Sequence, residues 1–259
     1  MRNLEESVRD SKEPKPWNKF IFDTGTGYWT LTPKNWRDGK IAYREEMIDP
    51  KDHNEIFCSI LYSFLSIQEK WSKQYTIYQT LVDNELNNVA VMKKDLAKEH
   101  PLTYTIIREH RFGNKLKKWF KSLVDDWDNL TVLLDEMGDK VNTATKENEF
   151  DLRKRLSDSI DGVSYKVASL IMMKCGYQNV VPVDIQLIRY CKQALGFNYN
   201  PAKKREDTSP KEFLAYEKRI SEEAARQNVS PALFQYVIWH SKARIIAKQE
   251  QKGKQEKLF

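Results

Sequence analysis

The 259 residues carry a formal charge of +6, from 43 lysines and arginines against 37 aspartates and glutamates, a mild excess that favours a polyanionic partner without requiring one. Three cysteines are too few for a disulfide framework and read as buried thiols of a reducing compartment, and His53, His100, His110 and His240 share no metal-ligand spacing. Neither a secretory signal nor an apolar run of membrane-spanning length is present, so the expected setting is the cytoplasm or the nucleoid, with no membrane partner.

In chain order, residues 1–16 are charged and poor in apolar content, which predicts an arm without a core. Between Phe20 and Met47 the character changes. Phe20-Ile21-Phe22 and Tyr28-Trp29-Thr30-Leu31, broken by Gly25, Gly27, Pro33 and Gly39, predict small strands or an irregular aromatic cap, so that residues 1–47 form an N-terminal extension. Its Trp17, Trp29 and Trp36 could stack on a base or pack onto the helices that follow, and packing is the simpler expectation. Residues 48–248 read as an all-α core. Ile56, Ile60, Leu61 and Phe64 make one apolar face, Leu116, Trp119, Phe120 and Leu123 a second, and Leu233, Phe234, Val237 and Ile238 a third. Ser209-Pro210-Lys211-Glu212 has the form of a capping box with proline in the first turn, and Ser230-Pro231 opens the last long helix in the same way. Residues 141–149 and 197–208 read as polar connections, and 249–259 as a charged tail.

The segment 151–184 carries the chemistry. Asp151–Ile160 predicts a short helix with Leu152, Leu156 and Ile160 inward, Asp161–Tyr165 a tight turn, and Lys166–Lys174 a second helix with Val167, Leu170 and Ile171 inward. Gly162 supplies the positive φ of a hairpin, Ser164 is placed to cap the second helix, and Ala168 lets the two helices approach. Amides at such a turn and helix start point outward and suit a phosphate. Lys166 then stands in a first helical turn, where the macrodipole disfavours a cation; a broken local rule of this kind marks a candidate functional residue, here a lysine nucleophile. Asp184, after Val181-Pro182-Val183, is placed as the N-cap of another helix, eighteen positions beyond Lys166. A carboxylate there suits stabilisation of positive charge on a sugar, or proton transfer from an amine. Taken singly, the turn, the lysine and the cap are ordinary structural features. Among the basic clusters, Arg153-Lys154-Arg155 lies directly before the turn and is expected to reach phosphates, whereas Lys115, Lys117, Lys118 and Lys121 read as a solvated helix face.

Turn glycine, lysine, alanine, apolar helix and then Val-Asp opening another helix: this pattern resembles the helix-hairpin-helix superfamily of DNA glycosylases in its bifunctional glycosylase/AP-lyase branch. Ile60–Gln68 is similar to that family's early core helix, Arg111–Phe120 to its Asn-Lys helix start, and Ser230–Lys248, with Tyr236 and Trp239, to the closing helix of archaeal-type 8-oxoguanine glycosylases. The resemblance implies a two-lobed helical fold with its helix-hairpin-helix at 151–175, and double-stranded DNA bearing a damaged base as partner, engaged by a monomer. It implies Lys166 as Schiff-base nucleophile and Asp184 as its carboxylate partner. Gln68 would enter the gap left by an extruded base, Gly162, Val163 and Ser164 would hold the backbone, and a structural alkali cation could sit on the hairpin. Tyr236 and Trp239 would be base-pocket walls or core. Two positions depart from the pattern: Ser164 replaces a second glycine, and Gln186 replaces the histidine that commonly follows the aspartate, so a contact made there by imidazole would be made by an amide or lost. No four-cysteine constellation stands near the C-terminus, so no iron–sulfur cluster is expected. The implied activity is excision of an oxidised base, 8-oxoguanine first, with strand nicking by β-elimination. A lyase for another oxidised or deaminated base, or a non-enzymatic DNA-binding module, are the alternatives; the latter has no need of Lys166 or Asp184.

Overall fold

The computed structural model describes residues 48–66, 69, 71–199, 209–235 and 238; the N-terminal extension 1–47, Gln68, Tyr236, Trp239 and the tail lie outside them. Every regular element among the described residues is a helix. These are α1 (His53–Leu65), α2 (Trp71–Asp83), α3 (Val89–Leu96), α4 (Leu102–Ile107), α5 (Gly113–Asp125), α6 (Trp127–Lys140), α7 (Lys146–Ser159), α8 (Tyr165–Lys174), α9 (Ile185–Ala194) and α10 (Pro210–Arg226). None is long and apolar enough to cross a membrane. The chain divides after Tyr177 into two compact units.

In the unit formed by residues 48–177, α1 is the axis. Asp52 starts it by accepting from the Asn54 and Glu55 amides, both at 2.9 Å. Ile56, Phe57, Ile60, Leu61, Phe64 and Leu65 then show no exposed surface. The spread covers more than a one-sided stripe because α1 packs on α2, α5 and α8 at once. Phe64 meets Trp119 at 5.4 Å and Phe120 at 6.1 Å on α5, and Phe57 meets Trp127 edge-on at 5.0 Å. Each such ring contributes roughly 1.5–3 kcal/mol by leaving water.

Helix α7 starts five residues before the predicted boundary. Thr145 caps it through a reciprocal pair with Asn148. Its inner face is Glu149, Leu152, Arg153 and Leu156, at helical spacing and all buried. Two charged residues at inward positions hide the amphipathic pattern, which is why 141–149 read as a connection. On the outer face Arg155 donates to both oxygens of Glu136 on α6, at 2.9 and 2.6 Å, and Lys140 adds a third bond at 2.6 Å.

The hairpin between α7 and α8 closes with the Val163 amide donating to the Ile160 carbonyl at 3.1 Å, and Ser157 Oγ donates to the Val163 carbonyl at 2.7 Å. Gly162 has φ +90°, and a Cβ there would stand 2.5 Å from the Trp119 ring. Two independent constraints therefore demand glycine: the left-handed backbone and the indole packed against it.

The second unit contains the described residues from Gln178 onward. Ser209 and Glu212 form the expected capping box on α10, with bonds of 3.3 and 2.9 Å. Glu217, 2 % exposed, accepts from the Val181 amide at 3.0 Å and so tethers the buried segment Val181-Pro182-Val183 that leads into α9. Ser230 caps residues 231–235, which are helical. Leu233, Phe234 and Ile238 are buried as expected, Phe234 against Tyr190 at 6.0 Å.

Two outcomes follow from this packing. Gly162→Ala should destabilise by about 2 kcal/mol or more, combining left-handed strain with overpacking. In a double-mutant cycle with Trp119→Ala the two penalties should fall short of their sum, because the strain remains and the clash is gone; strict additivity would show that the indole does not constrain residue 162. The second concerns acid. The Arg155 and Lys140 bonds hold Glu136 down from 4.5 to about 2. A depressed carboxylate adds stability that is complete above pH 4.5 and is lost as pH falls towards about 2. Denaturant melts should therefore show Glu136→Gln less stable than wild type at neutral pH, with the gap closing in that window.

Candidate functional site

Lys166 is the second residue of α8, exposed, and without an ion pair among the described residues. Ser164 occupies the N-cap position with extended backbone (φ −77°, ψ 171°), but its side chain makes no cap bond. The expectation of a capping serine is corrected here: only its backbone caps, the carbonyl accepting from Ala168 at 2.9 Å. The Lys166 and Val167 amides of the first turn consequently have no acceptor among the described residues. An uncapped helix start, a glycine-containing hairpin and an unpaired lysine thus occur within five residues, which is the local arrangement an anionic backbone and a nucleophile require. The hairpin carbonyls of Ile160 and Val163 each accept one bond and keep a second lone pair, which fits the alkali cation that the resemblance implies.

Arg153 does something other than expected. It is 2 % exposed, its guanidinium lies over the rings of Phe150 at 4.8 Å and Tyr165 at 5.1 Å, and Nη1 donates to Ser169 Oγ at 3.3 Å. A phosphate contact by this side chain is ruled out by burial. Its position on the inner face of α7, next to Leu152, sends it under the hairpin, where it braces the first turn of α8 from within. Lys154 does face solvent, hydrogen-bonded to Asp158 at 2.6 Å, and Arg155 is engaged by Glu136. Of the three basic residues before the turn, Lys154 and Arg155 are exposed, each paired with a carboxylate, and Arg153 is buried.

In the second unit, Asp184 is the N-cap of α9, accepting from the Gln186 amide at 2.9 Å and the Leu187 amide at 3.0 Å through one carboxylate oxygen. The cap role read from the sequence is thereby met. Gln186 follows on the first turn, with its amide oxygen buried and lacking a hydrogen-bond partner among the described residues. The hairpin residues Gly162, Val163, Ser164 and Lys166 lie together in one unit, and Asp184 with Gln186 in the other. Gln68, Tyr236 and Trp239 fall outside the described residues. Sequence reading missed Trp119 as the reason for Gly162, and Glu217 as the tether before Asp184. An aromatic residue opposite a turn glycine leaves no signature at a distance of about forty positions, and a buried glutamate on a helix looks like a solvated one.

The cysteines are unpaired. Burial pushes the Cys175 and Cys191 thiols up to about 12, which leaves them protonated and chemically quiet.

Three solved structures share the architecture. A Methanocaldococcus jannaschii 8-oxoguanine glycosylase/lyase, in complex with a 15mer DNA containing 8-oxoguanine, matches with TM-score 0.62 at 18% identity, over 88% of this chain and 97% of that one. A second structure, of the M. jannaschii 8-oxoguanine DNA glycosylase, gives 0.57 at 18% identity, over 78% and 86%. The 8-oxoguanine DNA glycosylase of Thermotoga maritima gives 0.55 at 15%, over 79% and 90%. At these identities the likeness establishes the helix-hairpin-helix glycosylase fold. No curated protein sequence matches the chain significantly. Residues 38–229, most of the chain and including both Lys166 and Asp184, match the family described as Ogg-HhH, 8-oxoguanine DNA glycosylase, and the chain is therefore a member of the 8-oxoguanine DNA glycosylase family.

Proposed function

We propose that this protein excises 8-oxoguanine from duplex DNA in base excision repair and then nicks the strand as an AP lyase, using Lys166 as nucleophile and Asp184 as the carboxylate that supports it. The observation that carries the reading is Lys166, unpaired among the described residues, at a start of α8 that has no capping side chain, directly after a hairpin whose glycine is doubly constrained. Family membership supplies the substrate class. A non-enzymatic DNA-binding module would need the hairpin and nothing at position 166.

The sugar C1′ is shielded in a stacked duplex, so the damaged nucleotide must first be extruded. The Lys166 amine then forms a bond to C1′ as the glycosidic C–N bond breaks and its electron pair leaves with the base, which takes up a proton. Positive charge developing on the sugar is stabilised by the Asp184 carboxylate. Opening of the sugar ring, with cleavage of C1′–O4′, yields the imine. Removal of a C2′ proton and departure of the 3′ phosphate nick the strand, and water releases the amine. All of this runs on side chains, and the reading includes no cofactor. The first-turn amides of α8 and the exposed Lys154 would hold the backbone while Gln186 offers its amide to phosphate or sugar.

Two variants test the chemistry. Lys166→Gln keeps length and hydrogen bonding without a nucleophile, so borohydride-dependent cross-linking to 8-oxoguanine DNA should vanish while binding persists; undiminished cross-linking would remove Lys166 from the mechanism. Asparagine caps helices nearly as well as aspartate, so Asp184→Asn should melt close to wild type and still bind. Its single-turnover excision should nevertheless fall on the order of a hundredfold or more, the cost of losing one preorganised electrostatic group. Normal excision by that variant would leave Asp184 a helix cap only.

A further inference from the structure

The turn between α4 and α5 borders a half-open cavity of about 420 Å³ whose cationic lining is Arg108, Arg111, Lys115 and Lys117. Three of these are exposed and Lys117 is half-buried, and none has a carboxylate within ion-pairing distance among the described residues. The other cations of the same helix behave differently: Lys118 pairs with Asp161 at 3.0 Å and Lys121 with Asp125 at 2.8 Å. Three of the four cations rest on aromatic rings. Arg111 and Lys115 lie over the Phe112 ring at 5.7 and 5.4 Å, and Lys117 over Tyr104 at 5.3 Å. A ring face orients a cation without neutralising it, so the charge stays available to an anion. Glu69 borders the turn, but it accepts from the Arg111 backbone amide at 3.1 Å and faces Lys73.

His110, also in the lining, ties the turn to the core. His110, 3 % exposed, accepts from the Phe112 amide on Nδ1 at 3.0 Å and turns Nε2 to the Leu65 carbonyl at 3.0 Å, tying the turn to the end of α1. Helix α5 connects the cavity to the hairpin as a ruler. Gly113 opens it and Trp119 touches Gly162 six residues later, a separation of about 9 Å along the axis at the helical rise. That is close to the axial rise of about three nucleotides on one DNA strand.

We propose that this basin is a second phosphate site, which takes a backbone phosphate of the duplex distinct from the one the α7–α8 hairpin holds. The inference rests on the DNA reading above and fixes the register of the duplex: one anchor at the start of α5 and a second at the hairpin packed against Trp119 of that helix set both its position and its direction, where the hairpin alone would leave it free to pivot.

The test compares wild type, the double variant Arg111→Gln/Lys115→Gln and a control, Lys121→Gln, on an 8-oxoguanine duplex at several salt concentrations. All substitutions are at exposed positions, so folding is preserved. The double variant should bind more weakly, with the slope of log affinity against log salt flattened by about 0.9 for each phosphate it no longer neutralises, and the control should match wild type. In a second measurement, one neutral methylphosphonate is moved along each strand. A position that weakens wild type but not the double variant identifies the phosphate. An unchanged slope overturns the proposal, and so does the lack of any such position. Excision by wild type, scored on the same duplexes, separates the two levels: no excision with a flattened slope sinks the enzymatic reading alone, and normal excision with an unchanged slope sinks the second site alone.

Discussion

Trp119 stands where a Cβ on residue 162 would have to go, and most of what this protein can do at its hairpin follows from that contact. The indole is itself wedged between Phe64 of α1 and the turn, so the hairpin is backed by the axial helix of its unit rather than carried on a loose connection. The left-handed glycine turns the chain from α7 into α8, and the α8 start has no capping side chain. Unsatisfied amides there are a cost to folding that an anion would offset. A hairpin that is stiff and incompletely satisfied is what a backbone-phosphate site requires.

Arg153 completes that support from the other side. Buried charge is expensive unless its surroundings compensate, and here two aromatic faces and the Ser169 hydroxyl do part of the compensating. Tyr165, one of those faces, immediately precedes Lys166, so the guanidinium lies beneath the very turn that presents the amine. Trp119 fixes the approach to α8 and Arg153 its first turn. Lys166 can remain exposed and flexible along its own side chain while its Cα is held.

The parts of the fold legible in the sequence are those where chemistry is local. Gly162, Asp184 and the Ser209/Glu212 box announce themselves because a positive φ or a cap is demanded by residues within three or four positions, and each took the role expected. Legibility failed where a distant neighbour decides. Glu149 and Arg153 look like solvent-facing charges, yet they share a buried face with Leu152 and Leu156 because α8 folds back over them. Ser164 looks like a capping serine and caps with its backbone alone. Lys166 and Asp184 stood out for another reason: their joint order and spacing, not either residue by itself, matched a known family.

The distribution of neutralised charge, by contrast, could have been read locally and was not. Lys121 with Asp125, Lys140 with Glu136 and Lys154 with Asp158 are all pairs four residues apart, the spacing at which helical side chains meet. Arg108, Arg111, Lys115, Lys117 and Lys166 have no Asp or Glu three or four positions away in either direction, and none of them is paired among the described residues. Lys118 shares that local poverty and finds Asp161 across the hairpin, so the spacing rule selects candidates and tertiary structure removes some. Treating Lys115, Lys117, Lys118 and Lys121 as one solvated face merged two populations. One is paired with an acid; the other has no acid close by among the described residues. On a chain whose net charge is only +6, affinity for DNA cannot come from overall excess. Local excess is the alternative, and among the described residues the α4–α5 turn and the start of α8 are two places where cations have no acid close by.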